Sequence, residues 1–435
     1  MENNSASPTK LFNKNFLLLW QGQTVSRFGS QFFLMAMALW VVDVTGSGTI
    51  MGNILLVSGL IAVLMGPIGA TLADRYSRKK ILIFGDLTRG ILVLGLTLLM
   101  VRNPEQIELI IAGIFLVTIY SAVVATFFGP AISASFPDLV PKEALAGANS
   151  MAAGSGQITT MVAQALGGVL YPIIGAPLLF LFNGVSFLYA SISEKFVHIP
   201  QDIPEKNTGL KDELKSFWAD LVEGFRYINR WPGLRDTVII SAILAFFTAP
   251  AALLLLFFIN DYLQVSPGWY GAILSAYTLG TLIGTIFAGT LRLSPKTRGN
   301  VLLFFIFAQS IGYGLFGLVR STYLMIFLGF LNGLFTGFIL VFFMTIVQVA
   351  TPSEKRGRVV GILATINSLF TPIAIGISGR LVDILDKNVP IIFIVSGVIM
   401  TVIVIIVAFN PQFRAFLATD SELEDSTTVI DQAGA

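Results

Sequence analysis

Long apolar runs separated by short polar stretches dominate the hydrophobic pattern of this chain. A helix needs about 20 apolar residues to cross the ~30 Å hydrocarbon core of a bilayer. Twelve runs of suitable length cover residues 16–42, 48–73, 80–101, 108–133, 146–170, 175–193, 237–260, 269–291, 301–319, 323–349, 358–383 and 389–409. The pattern therefore predicts an all-α integral membrane protein with twelve transmembrane helices.

The twelve predicted spans fall into two sets of six that share sequence. The stretch beginning at Gly69, between spans two and three, aligns with the stretch beginning at Gly289, between spans eight and nine. Internal repeats of this kind are typical of transporters built from two similar bundles. The predicted parts are an N-terminal six-helix bundle (1–193), a cytoplasmic linker (194–236), a pseudo-symmetric C-terminal six-helix bundle (237–410) and a disordered acidic cytoplasmic tail (411–435).

Apolar residues recur at helical spacing inside the predicted linker. Charged residues such as Lys211, Asp212 and Glu223 fill the opposite face. This periodicity predicts an amphipathic helix that lies on the membrane surface. The apolar positions are Leu210, Leu214, Phe217, Trp218, Leu221, Val222, Phe225 and Ile228.

Charged residues are scarce and unevenly placed. They make up 12% of the chain, and its mean hydropathy is +0.81, whereas a soluble domain carries about 25% charged residues. Of the 27 Lys and Arg residues, 21 fall on one side of the predicted spans and three on the other. Because Lys and Arg collect in cytoplasmic loops, we predict a multi-pass protein of the cell membrane with both termini in the cytoplasm.

The composition argues against several kinds of chemistry. The chain has no Cys and a single His, His198, so disulfides, thiolate metal sites and His clusters are excluded. A membrane-embedded enzyme or scaffold is the competing class, but no Ser-His-Asp arrangement or phosphate loop is present in the sequence. We expect neither an enzyme nor an ATP-driven pump, and no metal, cofactor or nucleic acid partner.

A cluster of charge separates predicted spans two and three. The segment from Gly69 reads G-A-T-L-A-D-R-Y-S-R-K-K. It resembles the loop motif G-x-L-A-D-R-x-G-R-K-x of the major facilitator superfamily, although Ala70 and Ser77 stand where glycines are expected. The resemblance implies the major facilitator fold. It also implies that Asp74 faces the N-terminus of the eleventh helix, near Gly357, and so holds the outward-facing arrangement. The gating residues expected from this motif are Asp74, Arg75, Arg78, Lys79, Lys80 and Gly357. The alternative is a loop that only anchors the topology.

Further segments resemble the macrolide-efflux-type group of drug:proton antiporters. They are F-L-L-L-W-Q-G-Q-T-V-S-R-F-G-S-Q from Phe16, D-V-T-G-S-G-T from Asp43, D-L-T-R from Asp86 and K-R-G-R-V from Lys355. The resemblance implies secondary active export of amphipathic, drug-like or macrolide-like compounds by alternating access with proton antiport. The alternative is a facilitator or exporter of a dedicated anionic or zwitterionic metabolite or lipid, such as a siderophore or lysophospholipid. The expected partners are the substrate, protons and membrane lipid, and we expect a monomer.

Asp86, Arg89 and Arg27 are charged residues within the predicted spans that are candidates for a role in transport. Asp86 and Arg89 are three residues apart on span three, so they share a helix face and can neutralise each other. They form either a structural ion pair or a site at which Asp86 carries the coupled proton. Arg27, in the middle of span one, either pairs with an internal group such as Asp86 or meets an anionic substrate. Asp86 is predicted to be the only carboxylate well inside a span.

Polar and aromatic residues on three spans are candidates for the substrate cavity. An arginine at the depth of Arg27 requires a polar surrounding, so we expect span one to face a cavity. Phenylalanine pairs and nearby polar residues on spans seven and ten suit bulky amphipathic molecules. The predicted cavity residues are Gln23, Ser30, Gln31, Phe246, Phe247, Asn332 and Thr336.

Overall fold

The computed structural model describes residues 10–201 and 210–419; within them, the side chains of residues 70–74, 210–214, 216–217 and 220–221 lie outside the description. The helices are α1 (Lys14–Thr45), α2 (Gly48–Arg75), α3 (Arg78–Arg102), α4 (Ile107–Leu139), α5 (Leu145–Lys195), α6 (Leu210–Arg230), α7 (Pro232–Thr248), α8 (Ala251–Phe257), α9 (Pro267–Thr290), α10 (Pro295–Leu315), α11 (Thr322–Ala350), α12 (Ser353–Ile384), α13 (Val389–Ala408) and α14 (Pro411–Leu417). A 3₁₀ turn (Lys142–Ala144) precedes α5, and a π-helical segment (Phe258–Leu263) follows α8. The described residues form no strand, as expected for an all-α protein.

Short polar side chains mark where several helices begin. The Asn13 side chain accepts a hydrogen bond from the backbone N–H of Phe16, and Ser77 does the same for Lys80 at the start of α3. Such caps satisfy backbone donors that have no partner inside the helix. Gly46 ends α1 with φ 60°, a conformation that glycine adopts without strain. Local sequence therefore sets the limits of these long helices.

Ten of the described helical stretches are long and apolar enough to cross a membrane. One of them, Lys142–Lys195, contains two predicted spans, because Gly175 interrupts α5 with φ 75° and ψ 170°. Helix α10 coincides with the ninth predicted span but is not among the ten. The predicted seventh span is broken at Ala249–Pro250, where α7 ends and α8 begins, because proline cannot donate the backbone hydrogen bond that a helix requires.

The linker and the C-terminal region differ from prediction in their limits. Residues 194 and 195 belong to α5 and residues 232–236 to α7, which shortens the linker at both ends. The predicted amphipathic helix is α6, and Trp218 on it is 63% exposed. The prediction of disorder from residue 411 is wrong for α14, because Phe413 and Phe416 are buried in a hydrophobic cluster. The rest of the predicted tail, residues 420–435, lies outside the described residues.

The chain forms two compact units. The first unit contains residues 1–214, 251–275 and 375–387, and the second contains residues 215–250, 276–374 and 388–435. In the first unit α5 packs on α1 and α3, and α2 packs on α4. In the second unit α10 packs on α11 and α13, and α7 packs on α14. The units differ from the predicted halves, because two segments of the predicted C-terminal bundle cluster with the first unit.

Candidate transport site

A buried ion pair lies inside the first unit. The Arg89 guanidinium donates to Asp86 Oδ1 at 2.5 Å and to the Gly85 carbonyl at 3.1 Å. It lies over the rings of Phe128 and Phe187, with its central carbon 4.3 and 4.6 Å from the ring centroids. A guanidinium over aromatic faces gains electrostatic attraction. The structure thus pairs Asp86 with Arg89 and not with Arg27.

A second buried carboxylate belongs to the same cluster. Glu194, in the last turn of α5, is 1% exposed, and its Oε1 accepts a hydrogen bond from Gln23 Nε2 at 2.7 Å. The structure therefore adds a buried carboxylate that the candidate residues from the sequence do not include. Sequence reasoning missed Glu194 because the predicted sixth span stopped at residue 193, whereas the helix continues to Lys195. The absence of Gly and Pro between Val185 and Lys195 is the signal that could have extended the helix.

Gln23 makes a buried hydrogen bond and also lines a narrow pocket beside Arg27. It is 7% exposed and its amide binds Glu194, so the side chain belongs to the buried polar cluster. Its position on α1, one helical turn before Arg27, explains the prediction. Sequence position alone does not distinguish a residue that faces a neighbouring helix from one that faces a cavity.

A polar cleft of about 310 Å³ opens between α1 and α5 of the first unit. Arg27, Ser30 and Gln31 line it together with Gln157 and Thr160. Arg27 is exposed, and its Nη1 donates to the Ala152 carbonyl at 3.4 Å. Among the described residues it forms no ion pair, so its charge is available to the cleft. The structure thus brings together three of the residues predicted to meet substrate.

An apolar cleft of about 480 Å³ lies in the second unit. Phe246 and Phe247 line it, with ring centroids 5.5 Å apart in an edge-on arrangement. Ile239, Ile366 and Phe370 are among its other lining residues. The cleft offers an aromatic and aliphatic surface with little polar character.

Asn332 and Thr336 take part in helix packing within the second unit. Asn332 is 4% exposed and donates to the Leu328 carbonyl of its own helix. Thr336 Oγ1 accepts from Gln309 Nε2 at 2.6 Å and lies 3.1 Å from the Tyr277 hydroxyl. The Asn332 amide nitrogen and the Thr336 hydroxyl are thus bonded to neighbouring groups, whereas Asn332 Oδ1 accepts no hydrogen bond from a described residue. Neither residue lines the two clefts described above.

The charged loop between α2 and α3 is anchored to α4. Arg78 donates to Asp138 Oδ2 at 2.5 Å and to the Ala134 carbonyl at 2.7 Å. Gly357 lies in the first turns of α12, with open space around its Cα. The Asp74 side chain lies outside the described residues, so its predicted gating contact stays a prediction. The other basic residues of the motif are Arg75 and Lys79, both half-buried, and Lys80, which is exposed.

A carboxylate also caps the start of α2. Asp383, near the end of α12, accepts hydrogen bonds from the backbone N–H groups of Gly48 and Thr49 at 2.7 and 2.9 Å, and from the Ser47 hydroxyl at 2.9 Å. Close by in the chain, Lys387 forms an ion pair with Asp261 at 2.7 Å. All these residues belong to the first unit. A negative charge at a helix N-terminus is stabilised by the unpaired N–H groups there, so this contact ties α12 to α2.

The long apolar helices, their internal repeat and their arrangement define a transporter of the major facilitator class. Solved structures of that class share the fold over nearly the whole chain. A bacterial homologue of the iron transporter ferroportin, in its inward-facing state, matches 91% of this chain and 99% of its own with a TM-score of 0.71 at 15% identity. The nucleoside transporter NupG matches 93% and 99% with a TM-score of 0.69 at 15% identity.

The comparison of sequences identifies the family. The family model described as "Transmembrane secretion effector" matches residues 5–428, and the chain belongs to this family of efflux-type major facilitator transporters. Macrolide efflux protein A of Streptococcus pyogenes is 26% identical over 407 residues, which are 92% of this chain and 96% of that protein. The enterobactin exporter EntS of Shigella flexneri is 29% identical over 321 residues, 72% of each chain. The expected superfamily and fold class are thereby confirmed.

Proposed function

We propose that this protein exports amphipathic compounds, macrolide-like drugs among them, across the cell membrane in exchange for protons. One observation carries the proposal: the relationship to macrolide efflux protein A extends over 92% of this chain and 96% of that protein. An alignment of this extent covers both predicted six-helix halves, so the two proteins can be compared over all their membrane-spanning helices. Efflux of a drug-like compound is the activity that best accounts for this similarity.

The two clefts support an amphipathic substrate. The cleft of the first unit offers the Arg27 guanidinium, hydroxyls and amides, whereas the cleft of the second unit is lined mainly by phenylalanine and isoleucine. Ligand sites combine a largely apolar lining with a few polar groups that fix orientation.

The orientation proposed here places both termini and α6 on the cytoplasmic side. It follows from the excess of Lys and Arg in the loops on that side. The Arg78–Asp138 pair then lies at the cytoplasmic end, and the Asp383 cap on α2 lies at the outer end. Exposed apolar residues of α6, such as Trp218 and Val222, suit a helix that rests on the inner membrane surface.

Alternating access gives the outer contact a role in the transport cycle. Opening a transporter toward one face requires the contacts that close that face to break. The Asp383 cap is such a contact, because it joins the end of α12 to the start of α2. A carboxylate at a helix N-terminus contributes about 0.3–2 kcal/mol, which is strong enough to bias a conformational equilibrium and weak enough to break in each cycle.

A susceptibility panel in a bacterial host that lacks its own drug pumps tests this proposal. The panel compares macrolides, cationic dyes and lysophospholipids in cells carrying the protein and in cells carrying an empty vector. We expect a raised inhibitory concentration of the macrolide erythromycin, with less accumulated drug in energised cells. Unchanged macrolide accumulation despite verified membrane insertion would contradict the proposed function.

A further inference from the structure

Two carboxylates and one guanidinium meet inside the first unit, and the cluster lacks one positive charge. Asp86 and Glu194 are 0% and 1% exposed, and Arg89 interacts electrostatically with both. With all three groups ionised, the cluster has a net charge of −1 in surroundings that exclude water. A net buried charge is costly, and buried ionisable groups tend to neutralise. One bound proton removes the imbalance.

The positions of the partners indicate which carboxylate takes the proton. Arg89 binds Asp86 at 2.5 Å on its own helix, and two phenylalanine rings hold the guanidinium in place. Glu194 instead accepts a hydrogen bond from the neutral amide of Gln23. Since contact with a cation favours the ionised form of a carboxyl, Asp86 keeps its charge and Glu194 is the group that is free to be neutral.

Two unsatisfied carboxylate oxygens also favour one bound proton within the cluster. Asp86 Oδ2 and Glu194 Oε2 are buried and accept no hydrogen bond from any described residue. An ionised carboxylate can only accept hydrogen bonds, whereas a protonated one also donates. A proton on Glu194 therefore converts one of two orphaned acceptors into a donor.

The neighbouring helices supply no second cation to the cluster within the described part of the chain. Helix α1 contributes the neutral Gln23, and α4 contributes Tyr120, whose hydroxyl donates to Thr88 at 2.7 Å. Lys195 follows Glu194 in sequence but is exposed. With all three groups ionised, no further described cation therefore offsets the net charge of −1.

We propose that Glu194 is the proton-binding residue of this transporter, with Asp86, Arg89 and Gln23 positioning it. In the proposed antiport, which this part of the inference presupposes, Glu194 releases the proton that is exchanged for substrate. Its place in the last turn of α5 suits that exchange: the adjacent Ser193 donates to the Leu18 carbonyl, only four residues after α1 begins, so Glu194 lies near the end of the bundle.

Infrared spectroscopy of the purified full chain in detergent tests proton binding without any substrate. We expect the wild type to show the carbonyl stretch of a buried protonated carboxyl at neutral pH, and Glu194→Gln to lack it. Glu108→Gln, the same change at an exposed site at the start of α4, should keep the band. A wild type without the band, or a band that persists in Glu194→Gln, would overturn the assignment.

A second variant covers the case in which Glu194→Gln folds poorly. Asp86→Asn leaves Arg89 without its partner, so the guanidinium becomes available to Glu194 and favours its ionised form. The band should then disappear at a lower pH than in the wild type. An unshifted band in Asp86→Asn would show that Glu194 does not sense this cluster, which also refutes the proposal.

Transport in proteoliposomes separates this inference from the proposed function. With erythromycin as probe, Glu194→Gln should still carry drug down its own gradient but should no longer respond to an imposed pH gradient. A response equal to that of the wild type would refute the coupling role of Glu194. If the wild type carries no erythromycin under either gradient, the proposed function fails, and the infrared result still decides whether Glu194 binds the proton.

Discussion

Arg89 shows how a single charged side chain is accommodated inside a membrane protein. Its guanidinium bonds to Asp86 and to the Gly85 carbonyl, and its faces lie against Phe128 and Phe187. Each of these contacts replaces part of the hydration that the group loses on burial. Removing one partner of a buried pair therefore leaves an uncompensated charge, which is more damaging than removing both.

A double-mutant cycle measures this dependence. The variants are Asp86→Asn, Arg89→Gln and their combination, compared by the free energy of unfolding in detergent. We expect a coupling energy of about 1–3 kcal/mol, because the two groups are buried in contact. The matched control is the exposed pair Arg358–Glu223, whose N–O distance is 2.6 Å; its coupling should stay below about 1 kcal/mol. Equal coupling in the two cycles would refute the role given to burial.

Arg27 should matter for transport and not for stability. Its side chain is exposed at the polar cleft and lacks a carboxylate partner among the described residues. Arg27→Gln should change the free energy of unfolding by less than about 0.5 kcal/mol, as is usual for exposed sites, while transport in vesicles falls. An Arg27→Gln protein that transports normally, or that unfolds as readily as Arg89→Gln, would show that the cleft assignment is wrong.

Spacing along one helix allowed some of these residues to be predicted. Asp86 and Arg89 are three positions apart, and this alone indicates that they share a face. Glu194 could not be placed in the same way, because its burial depends on α1 and α3, which pack against α5. Asn332 was predicted to line a cavity, but it bonds to its own helix at Leu328, a choice that the sequence does not reveal.

At the scale of helices, the cap of Asp383 on α2 is the contact most open to a direct test. We expect Asp383→Asn to weaken it and to expose the surface between α12 and α2 more often. The chain has no Cys, so a single Leu56→Cys reports on that surface, since Leu56 packs near Gly376 of α12. The rate at which a membrane-impermeant maleimide labels this Cys should rise about 2- to 10-fold. Such a rise corresponds to the loss of a stabilisation within the usual range for a carboxylate at a helix N-terminus.

The control for this experiment removes a different carboxylate at the same end of the bundle. Asp43, near the end of α1, accepts a hydrogen bond from the Tyr171 hydroxyl at 2.7 Å. It does not take part in the α12–α2 contact, so Asp43→Asn should leave the labelling rate of Leu56→Cys unchanged. Equal acceleration in both variants would indicate general loosening and would count against a specific role for Asp383.

The interruption of α5 depends on one glycine. Gly175 has φ 75° and ψ 170°, a conformation essentially restricted to glycine that costs other residues about 1–3 kcal/mol. Gly175→Ala should therefore lower the free energy of unfolding by about that amount. Gly95→Ala is the matched control, because that glycine lies within α3 with open space around it and alanine favours helix. A Gly175→Ala protein as stable as Gly95→Ala would contradict this account.

Helix limits were harder to predict than helix existence. A proline predicts the break at Ala249–Pro250, but neither the break nor the short helix α14 is visible in the hydrophobic pattern. A pattern averaged over about 20 residues does not resolve a two-residue interruption or a helix of seven residues. In α14, order comes from the burial of Phe413 and Phe416, which depends on distant parts of the chain.

For the whole molecule, the internal repeat predicted two six-helix halves, whereas the compact units divide the chain differently. Residues 251–275 and 375–387 come from the predicted C-terminal bundle, yet they cluster with the first unit. A transporter that works by alternating access must form and break such contacts during its cycle. The sequence is the same in every state of that cycle, so it identifies the spans without showing which of them touch in one state.

Proton-coupled export can be measured most directly in inverted membrane vesicles with an energised pH gradient. Addition of erythromycin should collapse part of the gradient in vesicles that contain the wild-type protein. Asp74→Asn, inserted to the same level, should give no response, because the motif containing Asp74 is expected to control the conformational change. An intact gradient in wild-type vesicles that still transport erythromycin, with transport persisting after an uncoupler, would contradict the account.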